Sequence, residues 1–152
     1  MGFLDKMKAA LGSSQSAEES IDSNYIEDII NSIQNVPFAA SRSNVLYGGI
    51  NELAGYHYFQ TVVVGTFKLK THKGAQLSII GDDYKLELNS DMLELESEPS
   101  DVANQFVTKI DFEIEANDIP NIVKSKIKSL ELSANKEKVT FTIVNIITDE
   151  EE

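Results

Sequence analysis

The stretch Tyr58-Phe-Gln-Thr-Val-Val-Val-Gly-Thr-Phe-Lys-Leu-Lys70, continued by Ala75-Gln-Leu-Ser-Ile-Ile80, Tyr84-Lys-Leu-Glu-Leu88 and Met92-Leu-Glu-Leu-Glu96, decides the fold class. Apolar and polar residues alternate through nearly all of it, which is the period of a half-buried strand. The breaks His72-Lys73-Gly74, Gly81-Asp82-Asp83 and Asn89-Ser90-Asp91 carry turn-forming residues and are short enough for hairpins. Short loops in succession force neighbouring strands to be antiparallel. Residues 58–97 therefore read as an antiparallel β-meander. Val63, Phe67, Leu69, Leu77, Ile79, Tyr84, Leu86, Leu88, Leu93 and Leu95 point to the core, and Lys68, Lys70, Lys85, Glu87, Glu94 and Glu96 point to water.

Downstream, 97–104 reads as an acidic loop around Pro99, and 106–115 as the most regular strand of the chain. Phe106, Ile110, Phe112 and Ile114 alternate there with Lys109, Asp111, Glu113 and Glu115, so a slip of one residue would place every aromatic in water. Asp118 and Pro120 open a short helix carrying Ile119, Ile122, Val123 and Ile127 on one face and Lys124, Lys126 and Lys128 toward its end. A last hairpin turns at Asn135-Lys136, with Val139, Phe141 and Ile143 inward.

Upstream, Tyr25, Ile26, Ile29, Ile30, Ile33 and Val36 fall on one face of an amphipathic helix capped by Asp22 or Ser23 and stopped by Pro37. Its apolar stripe must be buried, and the meander's apolar face is the surface on offer. The stretch 38–58, with Tyr47-Gly48-Gly49 and Gly55, reads as the least regular part of the ordered chain. The expectation is an α+β fold: a mostly antiparallel meander of about seven strands, open or curled into a partly closed barrel, with the N-terminal helix packed on it and a short helix between the fifth and sixth strands. Residues 1–20 read as a flexible segment with a short amphipathic helix, 21–148 as one α+β domain, and 149–152 as an acidic tail.

The charge balance, 13 Lys and Arg against 25 Asp and Glu for a net −12, argues against nucleic acid, because phosphate backbones are bound through clustered cations. With no cysteine, disulfides, thiolate metal sites and a catalytic thiol are excluded. No apolar run approaches the ~18 residues needed to span a bilayer, and Asp5, Lys6 and Lys8 interrupt any signal-peptide core, so the expected location is cytoplasmic. The opening Met-Gly-Phe-Leu-Asp-Lys-Met-Lys resembles the short amphipathic starts of many unrelated bacterial proteins.

Chemistry-bearing residues are sparse. His57 and His72 stand far apart along the first strand, the paired carboxylates alternate on the wet face, and no phosphate-binding glycine loop, nucleophile elbow or metal-binding helix motif occurs. Neither a metal nor a cofactor is expected. The expected function is a non-catalytic binding or assembly module, with a protein partner or self-association. A carrier for a small apolar ligand inside a curled sheet is the alternative, and an enzyme using His57 and neighbouring tyrosines the third. Two places are named for a site. One is the aromatic, glycine-rich segment of Tyr47, Gly48, Gly49, Tyr56, His57, Tyr58 and Phe59, where glycines admit a ligand to backbone and rings line a pocket. The other is the apolar face of residues 1–11, Phe3, Leu4, Met7 and Leu11, for docking on a partner or a membrane surface.

Overall fold

The structure, a computed structural model, describes residues 23–33 and 35–144. Helix α1 (Ser23–Ser32) precedes eleven strands: β1 (Ala39–Ala40), β2 (Asn44–Leu53), β3 (Tyr56–Gly65), β4 (Lys70–Thr71), β5 (Gln76–Gly81), β6 (Lys85–Asn89), β7 (Leu95–Glu96), β8 (Glu98–Pro99), β9 (Phe106–Ile114), β10 (Ile127–Ala134) and β11 (Glu137–Ile143). Nine form one antiparallel sheet in the order β6-β5-β10-β11-β1-β2-β3-β9-β8, and β4 and β7 make a separate ribbon. The sheet curls into a half-barrel. Ser90, just after edge strand β6, bridges to Phe112 on β9, and the Asp91 N–H donates to the Asp111 carbonyl at 2.8 Å.

The mostly antiparallel architecture is as expected, but the meander is not. Strand β3 does not pair with the segment that follows it; it pairs over its whole length with β2, from Asn44↔Gly65 to Leu53↔Tyr56, and on its other side with β9. The long alternating run 58–70 is broken at Gly65, where the Ser43 carbonyl occupies the space of a side chain. Just beyond it, Thr66 N–H donates to Ser43 O at 3.1 Å and Phe67 N–H donates to Asn44 Oδ1 at 2.8 Å. Only β5–β6 survives as a hairpin of the expected meander. Leu95 and Glu96 pair with Thr71 and Lys70 instead of β6, which leaves Met92 and Leu93 61% and 63% exposed. The stretch 38–58, expected to be irregular, holds β1, β2 and the start of β3; the two glycines at 48 and 49 remove the side chains that would have displayed the alternation.

Two apolar clusters hold the fold. Inside the curl, Phe59, Phe112, Phe141, Leu77, Ile79 and Leu130 are almost completely buried. Each such side chain contributes on the order of 1.5–3 kcal/mol over its exposed state. On the outer face, Ile26, Ile29 and Ile30 of α1 pack on Ala40, Val45, Tyr47, Val64 and Val144. The helix thus covers the outside of the sheet rather than the face that was expected to need a roof, because the curl fills that inner face from its own strands. It ends at Ser32, and Val36, four residues on, is 73% exposed.

The expected short helix before the last hairpin is two 3₁₀ segments, Ala116–Asn121 and Lys124–Lys126, with Pro120 inside the first. Ile122 is buried, while Val123 is 41% exposed, and Ile127 and Lys128 already belong to β10. Lys124 acts as a joint. Its ammonium donates to the carbonyls of Pro37 and Val144, both at 2.7 Å, and stands 5.7 Å from the Phe38 ring centroid. It thereby ties the approach to β1 to the end of β11, and burial lowers its pKa. Among the described residues no helix is long and apolar enough to cross a membrane.

Candidate functional site

The β2–β3 hairpin carries all seven residues of the aromatic and glycine-rich segment. Its turn is Ala54-Gly55, with φ of +52° and +86°, the left-handed pair whose twist suits a two-residue hairpin. Strand alternation then divides the seven between two faces. Phe59 points inward, 1% exposed and edge-on to Phe38 with centroids 5.5 Å apart. Gly48 shares that face, and a Cβ there would stand 2.7 Å from the Phe59 ring, so glycine lets β2 and the ring approach. His57 lies level with Glu52 on β2 and Ile114 on β9.

On the outer face, Tyr47 is buried beneath α1 with a hydroxyl that meets no hydrogen-bond partner among the described residues, and burial pushes its pKa up to about 12. Gly49 is exposed. Tyr58 stands level with Asn51 and Glu113, and its phenol is held above its ordinary pKa by desolvation first and then by Asp91, Glu113, Tyr56 and Asp111. Tyr56, 58% exposed, is paired at the tip with Leu53, 55% exposed. The hairpin therefore does not gather its aromatics into one pocket. It presents Leu53 and Tyr56 to solvent at its end.

Sequence reasoning missed the strand edge. Strand β1 is only two residues long and pairs with β2 only at Val45 and Leu46. The Leu46 carbonyl accepts from Phe38 N–H and the Asn44 carbonyl from Ser41 N–H, both at 2.8 Å, so the even-numbered residues of β2 turn their backbone groups toward that side. Beyond Leu46 the same alternation aims the N–H and C=O of Gly48, Ile50 and Glu52 at a side where no described strand lies. Residues 49–54 are all exposed, Ile50 at 37%. The signal that could have revealed this strand is the turn: Ala54-Gly55 between Ile50-Asn-Glu-Leu53 and Tyr56-His-Tyr-Phe59 has hairpin spacing.

The second place named for a site, Phe3, Leu4, Met7 and Leu11, lies outside the described residues, as do 1–20 and 149–152 as a whole. Among the described residues no group of three or more His, Asp or Glu is placed to hold a metal ion. No protein-family model, curated protein or solved structure matches the chain.

Proposed function

We propose that this protein is a non-catalytic assembly module that joins a second copy of itself through the open edge of β2. The observation that carries this reading is the row of outward-facing backbone groups at Gly48, Ile50 and Glu52 on an exposed strand. Natural sheets usually blunt such edges with lysine, proline or a covering element, since an unpaired row of donors and acceptors is a template for another strand. Here the edge-facing residues hold one charge, Glu52.

An antiparallel match centred on Ile50 suits the side chains. Gly48 of each copy then faces Glu52 of the other, so the two carboxylates never stand opposite one another, and the two Ile50 side chains meet on the axis. Each of the three residue pairs can exchange both backbone hydrogen bonds. A contact of this length sits at the low end of specific interfaces, about 1,200 Å² or less, which implies a concentration-dependent dimer. The carrier reading draws little support from a curl whose interior is occupied by Phe59, Phe112 and Phe141. An enzyme built on His57 draws little from a ring that makes no hydrogen bond or ion pair among the described residues.

Sedimentation velocity across a concentration series tests the proposal. The wild type should shift from monomer toward dimer below about 1 mM. Ile50→Pro should remain monomeric with an unchanged circular dichroism spectrum, because the N–H it deletes faces the open side and not β3; Ile50→Lys serves if the proline variant does not fold. A wild type that stays monomeric, or a dimer that survives both substitutions yet is lost when residues 1–20 are deleted, would overturn the reading.

A further inference from the structure

The chain as a whole is strongly acidic, yet one cleft is not. A cleft of about 910 Å³ is lined by Lys68, Lys70, Lys73 and Lys136, with Glu137 as its single carboxylate. Its size falls within the range of small-molecule sites, roughly 300–1,000 Å³. Among the described residues none of these four lysines is in an ion pair. Elsewhere Lys85, Lys128 and Lys138 each meet a carboxylate, at 3.4, 3.4 and 3.7 Å from Glu87, Asp82 and Glu131. In a chain of net charge −12, four lysines lining one cleft outside any ion pair, against Glu137 in the lining and Glu96 level with Lys70 on β7, leave a local excess of positive charge.

The cleft is built, not accidental, in the sense that one residue brings its two walls together. Asn135, in the β10–β11 turn, donates from Nδ2 to the Lys70 carbonyl at 2.9 Å and accepts at Oδ1 from the Thr71 hydroxyl at 2.9 Å. Thr71 Oγ1 in turn accepts from Lys73 N–H at 3.0 Å. This chain of bonds fixes Lys136 beside a segment more than sixty positions earlier, at the backbone of Lys70 and Lys73. Lys68, also in the lining, has its ammonium 5.2 Å from the centroid of the Phe106 ring, which lies outside the lining.

We infer that this cleft binds a compact, multiply phosphorylated small molecule. Lysine ammonium groups are point charges that suit phosphate oxygens, whereas carboxylates favour the planar fork of arginine, which the cleft lacks. No aromatic residue lines it, so a nucleobase has no surface to stack on and a nucleic-acid strand is disfavoured. Gln76, Asn89 and Ser133 add uncharged polar groups that suit hydroxyls between the phosphates. The inference is independent of the β2 edge: the β10–β11 turn points away from the β2–β3 tip, since β11 and β2 run parallel on either side of β1.

Isothermal titration calorimetry of the full chain with tripolyphosphate tests it. A saturable one-to-one isotherm is expected, weakening steeply as salt screens the charges. The combined variant Lys68→Gln, Lys70→Gln, Lys73→Gln, Lys136→Gln should bind at least about tenfold more weakly, or about 1.4 kcal/mol. Lys109→Gln, outside the cleft, should bind like wild type. If the combined variant does not fold, Lys73→Gln and Lys136→Gln singly should each cost a measurable part of the loss. Co-sedimentation with vesicles containing phosphatidylinositol 4-phosphate separates the sources, and a soluble ligand predicts no vesicle binding. Absence of a tripolyphosphate isotherm, equal binding by the lysine variants, or binding to the vesicles alone would each overturn the inference.

Discussion

Two hairpins of this sheet open their two-residue turns with a residue in the same backbone region and end differently. Ala54 and Asn135 both adopt the left-handed region, with φ of +52° and +54°. Ala54 has no side chain to bond with, and the tip around it, Leu53 and Tyr56, stays exposed. Asn135 uses its carboxamide to bind Lys70 and Thr71, and its hairpin is clamped to the body of the protein. A single side chain thus decides whether a hairpin projects as a strand edge or becomes one wall of a cleft. The charges follow the same division: lysines gather at the clamped hairpin, whereas Tyr58 on the projecting one sits among Asp91, Asp111 and Glu113.

Gly48→Val should break the projecting hairpin most severely. The new side chain would collide with the Phe59 ring, which is wedged against Phe38 and cannot swing aside. A cost of about 2–3 kcal/mol in urea unfolding is expected. Amide exchange should rise in β2 and β3 well before it rises in β10 and β11; equal loss of protection in both hairpins would contradict this.

Asn135→Ala would make the clamped hairpin resemble the other one. Losing two hydrogen bonds and placing alanine in the left-handed region should cost about 1–2 kcal/mol. Lys136 should then detach from Lys70 and Lys73, seen as faster exchange of the Lys73 amide, which now donates to Thr71. A variant with wild-type stability and exchange would show that the clamp is incidental.

The smallest effect lies at the base of β2. Tyr47→Phe removes a buried hydroxyl that has no partner among the described residues, so stability near neutral pH should stay level or rise by about 0.5–1 kcal/mol. Alkaline titration sharpens the point. Well below pH 10 both states keep the Tyr47 phenol protonated; as pH rises through 10 toward about 12 the unfolded chain loses the proton while the folded chain largely keeps it. The unfolded state then binds fewer protons, and stability falls as pH rises. The phenylalanine variant should show a shallower decline across that window, with the raised pKa values of Tyr58 and Tyr84 accounting for what remains.

Much of the strand content was legible because alternation is a local property. Phe106 to Ile114, Gln76 to Gly81 with Lys85 to Asn89, and the Asn135-Lys136 hairpin stand where the pattern placed them. The candidate site was only partly legible. Tyr47 to Phe59 marks the right hairpin, but as a strand pair whose side chains alternate between faces and not as a loop with a shared pocket. The lysine cleft was not legible at all. Lys68 and Lys70 look like ordinary solvent-facing residues until Asn135 draws Lys136 against them.

The amino-acid sequence by itself determined that the chain would form antiparallel strands with one apolar face and an apolar-striped helix, because side-chain period and composition act within a few residues. Only the tertiary structure decided which strands are neighbours. Pairing depends on where the chain bends, and here the Ala54-Gly55 turn folds β3 back on β2, while the close approach of the Ser43 carbonyl to Gly65 marks where β3 ends. Once that pairing is made, the curl buries the inner face with its own side chains and sends α1 to the outside. The two-residue length of β1 leaves the next seven positions of β2 without a neighbour on that side among the described strands. The edge and the cleft are both products of contacts between residues remote in sequence, which no local pattern records.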